Sequence, residues 1–126
     1  MSKNTEAAKK KTEIQNNKIA IPIGQSIRFV DLNDIVFLKA DNTYTEIYLD
    51  DNSKLVVSRT LKNFEEVLQD TPRFFRSHKS YIVNRDYVID YVKSDGGYLV
   101  VKNNHQVGIS PEKVEAFLTQ STIVRR

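Results

Sequence analysis

The chain has 126 residues, 40% of them hydrophobic and 28% charged, with a formal charge of +3 and no cysteine. That length suits one domain with a core of its own, and without cysteine there are no disulfides, thiolate metal centres or cysteine nucleophiles, so a zinc site would rest on two histidines. No stretch reaches the roughly 18 apolar residues of a membrane span and the N-terminus lacks the apolar centre of a secretory signal, which predicts a soluble, cytoplasmic protein without a membrane partner.

The charge is unevenly placed. Lys3, Lys9, Lys10, Lys11 and Lys18 outnumber Glu6 and Glu13 at the start and Arg125 and Arg126 close the chain, whereas residues 19–124 carry 12 basic against 14 acidic side chains. The Lys-, Asn- and Thr-rich start is expected to be a flexible basic linker or tail over residues 1–18, followed by one domain over 19–120 and a C-terminal tail over 121–126.

Short runs rich in Val, Ile, Tyr and Phe then follow at 19–23, 27–31, 35–40, 44–49 and 55–58. They predict strands. The turn signals between them, among them Gly24-Gln25, Asp41-Asn42 and Asp50-Asp51-Asn52, are too short for crossover helices, so neighbouring strands should be antiparallel. Thr60 reads as an N-cap, and Leu61, Phe64 and Leu68 place an apolar stripe on a short helix that Asp70-Thr71-Pro72 ends. Residues 88–92, 98–102 and 106–109 predict three more strands, joined by Asp95-Gly96-Gly97 and Asn103-Asn104. Ser110-Pro111 opens a closing helix with Val114, Phe117 and Leu118 on its apolar side. The expected fold is mostly β, built of small antiparallel sheets with two short helices.

The stretch from Arg73 to Val92 gathers Arg73, Arg76, Lys79 and Arg85 around His78 with no acidic residue before Asp86. In an otherwise slightly acidic body such a run points to a polyanionic partner; the alternative is that each cation pairs with a carboxylate from another strand. Phe74, Phe75, Tyr81, Ile82, Val83 and Val88 read as core. Tyr44 reads as a residue at a loop mouth, and Arg59 beside the Thr60 cap as a phosphate holder or a partner of Glu65 or Glu66. Ser77 and His78 are adjacent, which argues against a nucleophile and its base, because neighbouring side chains on an extended segment point to opposite faces. No phosphate-binding glycine loop or EF-hand pattern occurs. An enzyme is not expected.

The segment Phe74-Phe75-Arg76-Ser77-His78-Lys79-Ser80-Tyr81-Ile82-Val83-Asn84 closely resembles the hallmark of the LytTR DNA-binding domain. Residues 34–44 resemble that family's early strand and turn, 57–61 its strand-to-helix junction and 107–110 its last strand, so the likeness covers about residues 19–119. It implies a mostly β output domain of bacterial transcription regulators, using loops at one edge to enter successive major grooves of direct-repeat sites in double-stranded DNA, with two protein copies and bending of the duplex. Carried over by position, the contact residues would be Asn42, Tyr44, Arg59, Arg76, His78, Lys79 and Lys113. Of these, His78 and Lys79 first and Tyr44 second would reach base edges, and Arg59 and Arg76 would hold phosphates. Where family members often carry arginine in the final junction, this chain has Pro111, Glu112 and Lys113. The resemblance further implies transcription control without a cofactor, a homodimer on DNA, and a phosphorylatable receiver in a longer parent chain. A protein-interaction module using Tyr44, Arg76 and His78 is the alternative function.

Overall fold

The computed structural model describes residues 14–120. Among the described residues, eleven strands form three antiparallel sheets. The first sheet joins β1 (Ile14–Gln15), β2 (Lys18–Ile23) and β3 (Ser26–Asp31). The central sheet has the order β6-β5-β4-β8-β7, from β4 (Ile35–Asp41), β5 (Tyr44–Leu49), β6 (Lys54–Val57), β7 (Phe74–His78) and β8 (Tyr81–Asn84). The third sheet has the order β11-β10-β9, from β9 (Val88–Val92), β10 (Tyr98–Val101) and β11 (His105–Gly108). Helix α1 (Leu61–Leu68) links β6 to β7, and α2 (Pro111–Thr119) follows β11.

The central sheet is buried on both faces. Leu38, Ile47, Val57 and Ile82 pack against Ile19, Ile21 and Val30 of the first sheet and against Leu61, Phe64 and Leu68 of α1. Val36, Phe37 and Val83 pack on the other face against Leu99, Val101 and Val107 of the third sheet and Phe117 of α2. This explains the uninterrupted apolar run Ile35-Val36-Phe37-Leu38: a strand covered on both sides has no polar face to show. Each such side chain contributes about 1.5–3 kcal/mol by leaving water. A register shift between Ile35 and Phe37 turns Val36 and Phe37 toward the same core.

Turn chemistry sets the hairpins. Asn103 and Asn104 lie at φ 70° and 63°, the left-handed pair that a tight hairpin turn needs and that asparagine tolerates. Asn16 and Asn17, at 55° and 66°, do the same between β1 and β2. This corrects the linker expected to run to Lys18: residues 14–18 already belong to the first sheet, and Asn17 is held further by its bonds to Asp31 and Arg73 and by the Leu32 amide, which donates to its carbonyl. The remainder of the expected linker, and the expected tail at 121–126, lie outside the described residues. The expected strands and both helices are present within a residue or two at their ends. Besides β1, strands β7 and β8 are present beyond those expected. Both faces of this pair are covered and a bulge interrupts it between Phe75 and His78, so the alternation that marks a strand is missing.

Candidate nucleic-acid interface

Hydrogen bonding between strands brings four separate segments to one edge of the central sheet. The β4–β5 turn carries Asn42, at φ 58°, next to the exposed Tyr44. Beside it lies the β7–β8 turn, because Lys39 pairs with Tyr81 and the Ala40 amide donates to the Ser80 carbonyl at 2.9 Å. On the other side, β6 ends at the same edge: the buried Thr45 hydroxyl donates to the Arg59 carbonyl at 2.7 Å, fixing Arg59 one strand away from Tyr44. The fourth segment is the start of α2, tied to β7 by the Ser110 amide donating to the Ser77 carbonyl at 2.8 Å. Arg59, Asn42 and Tyr44, His78 and Lys79, and Lys113 therefore follow one another along the edge.

His78 is half-buried at the end of β7. Its Nδ1 accepts from the Ser80 amide at 3.0 Å and its ring meets Tyr81 edge-on. With Nδ1 occupied as an acceptor, the neutral ring carries its proton on Nε2. Gly108 lies beneath both rings; a Cβ there would sit 3.3 Å from Tyr81 and 3.6 Å from His78. Lys79 is exposed at the turn. Ser77 is fully buried with its hydroxyl donating to the Gly108 carbonyl at 2.8 Å, so it serves as a strut and is not presented to the His78 ring as a nucleophile.

Arg59 is exposed, with Nη1 donating to the Ser58 carbonyl at 2.9 Å, and its expected alternative partner Glu65 is paired with Arg76 instead. Thr60 and Asn63 make a reciprocal capping box that starts α1 directly after Arg59. Arg76 is largely occupied. Its Nε donates to the His78 carbonyl at 2.9 Å, Nη2 to the Lys79 carbonyl at 2.7 Å and Nη1 to Glu65. Lys113 rests its Nζ 3.3 Å from the Arg76 carbonyl and over the Phe75 ring. Arg76, His78, Lys79, Ser110, Glu112, Lys113 and Glu65 line one open groove of about 520 Å³.

The cationic run of the sequence is thus divided. Strand β7 starts after Arg73 and β8 ends before Arg85, so both arginines stand at the opposite end of the sheet, where the Arg85 amide donates to the Arg73 carbonyl. Arg73 bonds Asn33 and Asn17 and faces Asp86. Arg85 donates to the Phe117 carbonyl and lies over the rings of Phe75 and Phe117; burial lowers its pKa. That far end is acidic, gathering Asp31, Asp34, Asp50 and Asp51. Burial, then Asp50, Asp31 and Asp51, hold the Asp34 carboxyl above its ordinary range. Glu65, expected as a possible partner of Arg59, pairs with Arg76, and Gly108 is not among the expected site residues; a glycine inside a strand pattern is the one signal that points to its close approach.

Among the described residues no helix is long and apolar enough to cross a membrane, and no group of three acidic or histidine side chains is placed to hold a metal ion.

The sequence profile of the LytTr DNA-binding domain matches residues 25–121. The chain is 35% identical over 72 residues to the sensory transduction protein LytT of Bacillus subtilis (strain 168), covering 57% of this chain and 29% of that protein. It is 29% identical over 101 residues to the protein of the same name from Oceanobacillus iheyensis, covering 79% of this chain and 41% of that one. It spans less than half the length of either relative. A solved LytTr DNA-binding domain from Bacillus cereus superposes with a TM-score of 0.67 at 19% identity, covering 83% of this chain and 96% of that one, and shows the same fold. Profile, relatives and fold agree with the residues that suggested the resemblance, and the chain belongs to the LytTr DNA-binding domain family.

Proposed function

We propose that this domain reads double-stranded DNA in a sequence-specific manner through the edge that carries Asn42, Tyr44, Arg59, His78, Lys79 and Lys113, as the non-catalytic output domain of a cytoplasmic bacterial transcription regulator. The observation that carries the reading is the hydrogen-bond register that lines up four loop segments on one edge, with the aspartate-rich end of the molecule at the other. Phosphates are drawn to the first and repelled by the second.

The size of the edge supports the mode of docking. Four inter-strand spacings of about 4.8 Å make it about 20 Å long, more than the roughly 12 Å width of one major groove. Contacts at its two ends therefore belong to neighbouring grooves, with a phosphate backbone between them. Exposed Lys79 and the Nε2–H of His78 are donors suited to guanine O6 and N7, and Arg59 to a phosphate. An asymmetric row of this kind suits two copies on direct repeats, and the greater length of the relatives accommodates a receiver domain in a longer parent chain.

Selection of binding sequences from a random duplex pool tests the proposal. The expected result is an enriched motif recurring at a fixed spacing of about one helical turn. Enrichment of nothing, together with capture of a polypeptide partner, would favour the protein-interaction alternative.

A further inference from the structure

We propose that Glu65 and Arg76 form a clamp that shapes the base-reading loop, so that Arg76 is a positioning residue and not a phosphate ligand; this inference rests on the DNA-binding reading of the same edge. Three consecutive carbonyls of the loop are turned inward and satisfied by the protein. Those of His78 and Lys79 accept from Nε and Nη2 of Arg76, and that of Ser80 accepts from the Ala40 amide. The Ser80 amide is spent on His78 Nδ1. The Lys79 ammonium and His78 Nε2, the two donors proposed to read bases, take no part in these bonds.

The fork of a guanidinium can span two adjacent carbonyls while a third nitrogen is held by a carboxylate, an arrangement an ammonium cannot copy. Glu65, on the exposed side of α1, accepts from Nη1 and fixes the plane of the fork. The Arg76 side chain is 22% exposed, with its three nitrogens already engaged, which leaves it poorly disposed toward a phosphate. The clamp also accounts for an anion in a groove that faces DNA. Glu65 costs attraction for phosphate, yet it holds the arginine that holds the loop.

This reading makes a prediction of counter-intuitive sign: removing the Glu65 charge should weaken discrimination even though it removes repulsion. The full chain is titrated onto its selected duplex and onto a scrambled duplex across a salt series. Glu65→Ala and Arg76→Lys are compared with wild type, with thermal unfolding as a check on the fold. Glu65 faces solvent on a helix, and alanine there preserves helix propensity, so that variant keeps the test open whatever the arginine substitution does. The expected result is a loss of about tenfold or more in the selected-over-scrambled ratio for both variants, with scrambled-duplex affinity for Glu65→Ala equal to or above wild type. If Arg76→Lys keeps full discrimination, and Arg76→Ala lowers the salt slope on the scrambled duplex by about 0.9, Arg76 is a phosphate ligand and the clamp is wrong. Equal discrimination by Glu65→Ala and wild type overturns the clamp alone. Failure of the wild type to bind either duplex overturns the DNA reading with it.

Discussion

His78 shows how a single bond to the backbone can decide what a side chain offers its partner. Because Ser80 donates to Nδ1, the outward nitrogen is a donor, and His78→Ala or Lys79→Ala should each relax base preference by about 1–3 kcal/mol, measured as the affinity ratio between the selected site and its single-base variants. Glu112 lines the same groove in the first turn of α2, where the helix N-terminus favours an anion but DNA does not. Glu112→Gln is therefore expected to tighten binding to any duplex sequence in a titration at moderate salt, and weaker binding would show that the residue makes a contact of its own. Composition pointed to the region but could not sort its charges. Arg73 and Arg85 sit in the same basic run as Lys79, and only the strand directions send them to the far end of the sheet.

At the level of elements, the α1 start was legible because a capping pattern is local: Thr60 and its partner lie three residues apart. Thr60→Ala should lower unfolding free energy by about 1 kcal/mol in denaturant titration, and because Arg59 precedes the cap, it should weaken DNA binding more than the stability loss alone explains. The hairpin turns were legible for the same reason, since a left-handed pair of asparagines needs no distant partner. Strands β7 and β8 were hidden because their burial is decided by layers that the local sequence does not contain. Gly108 belongs to that hidden class. Its Cβ position opens onto the Tyr81 and His78 rings, so Gly108→Ala is expected to shift the His78 ring resonances and reduce duplex affinity with little change in strand content by circular dichroism. Unchanged resonances would mean that the neighbours give way without moving the histidine.

Across the whole molecule, carboxylates crowd at one end of the strands of the central sheet. One end carries Arg59, Lys79 and Lys113 together with Glu65 and Glu112; the other carries Asp31, Asp34, Asp50 and Asp51 together with Arg73 and Arg85. Crowding at the acidic end has a thermodynamic sign. A carboxyl held above its ordinary range in the folded state favours folding while protonated, and that contribution is lost as pH rises through the raised value. Asp34 therefore costs stability at neutral pH. Asp34→Asn should raise the unfolding temperature at pH 7 by an amount corresponding to less than about 1 kcal/mol, since solvent screens the site, and the difference should vanish in strong acid. Tyr48 titrates in the same sense at the other extreme. Burial and the Glu46 carboxylate it donates to push its pKa to about 12, so its contribution is complete below the ordinary tyrosine range and disappears as pH climbs toward that value.

The central claim concerns which end of the molecule meets DNA, and backbone amide chemical shifts recorded during titration with the selected duplex test it most directly. The account predicts the largest changes in residues 41–45, 58–60, 77–81 and 110–113, with Asn33, Asp50 and Asn103 unmoved. Changes concentrated on those three residues and their neighbours, with the 77–81 amides unaffected, would contradict it.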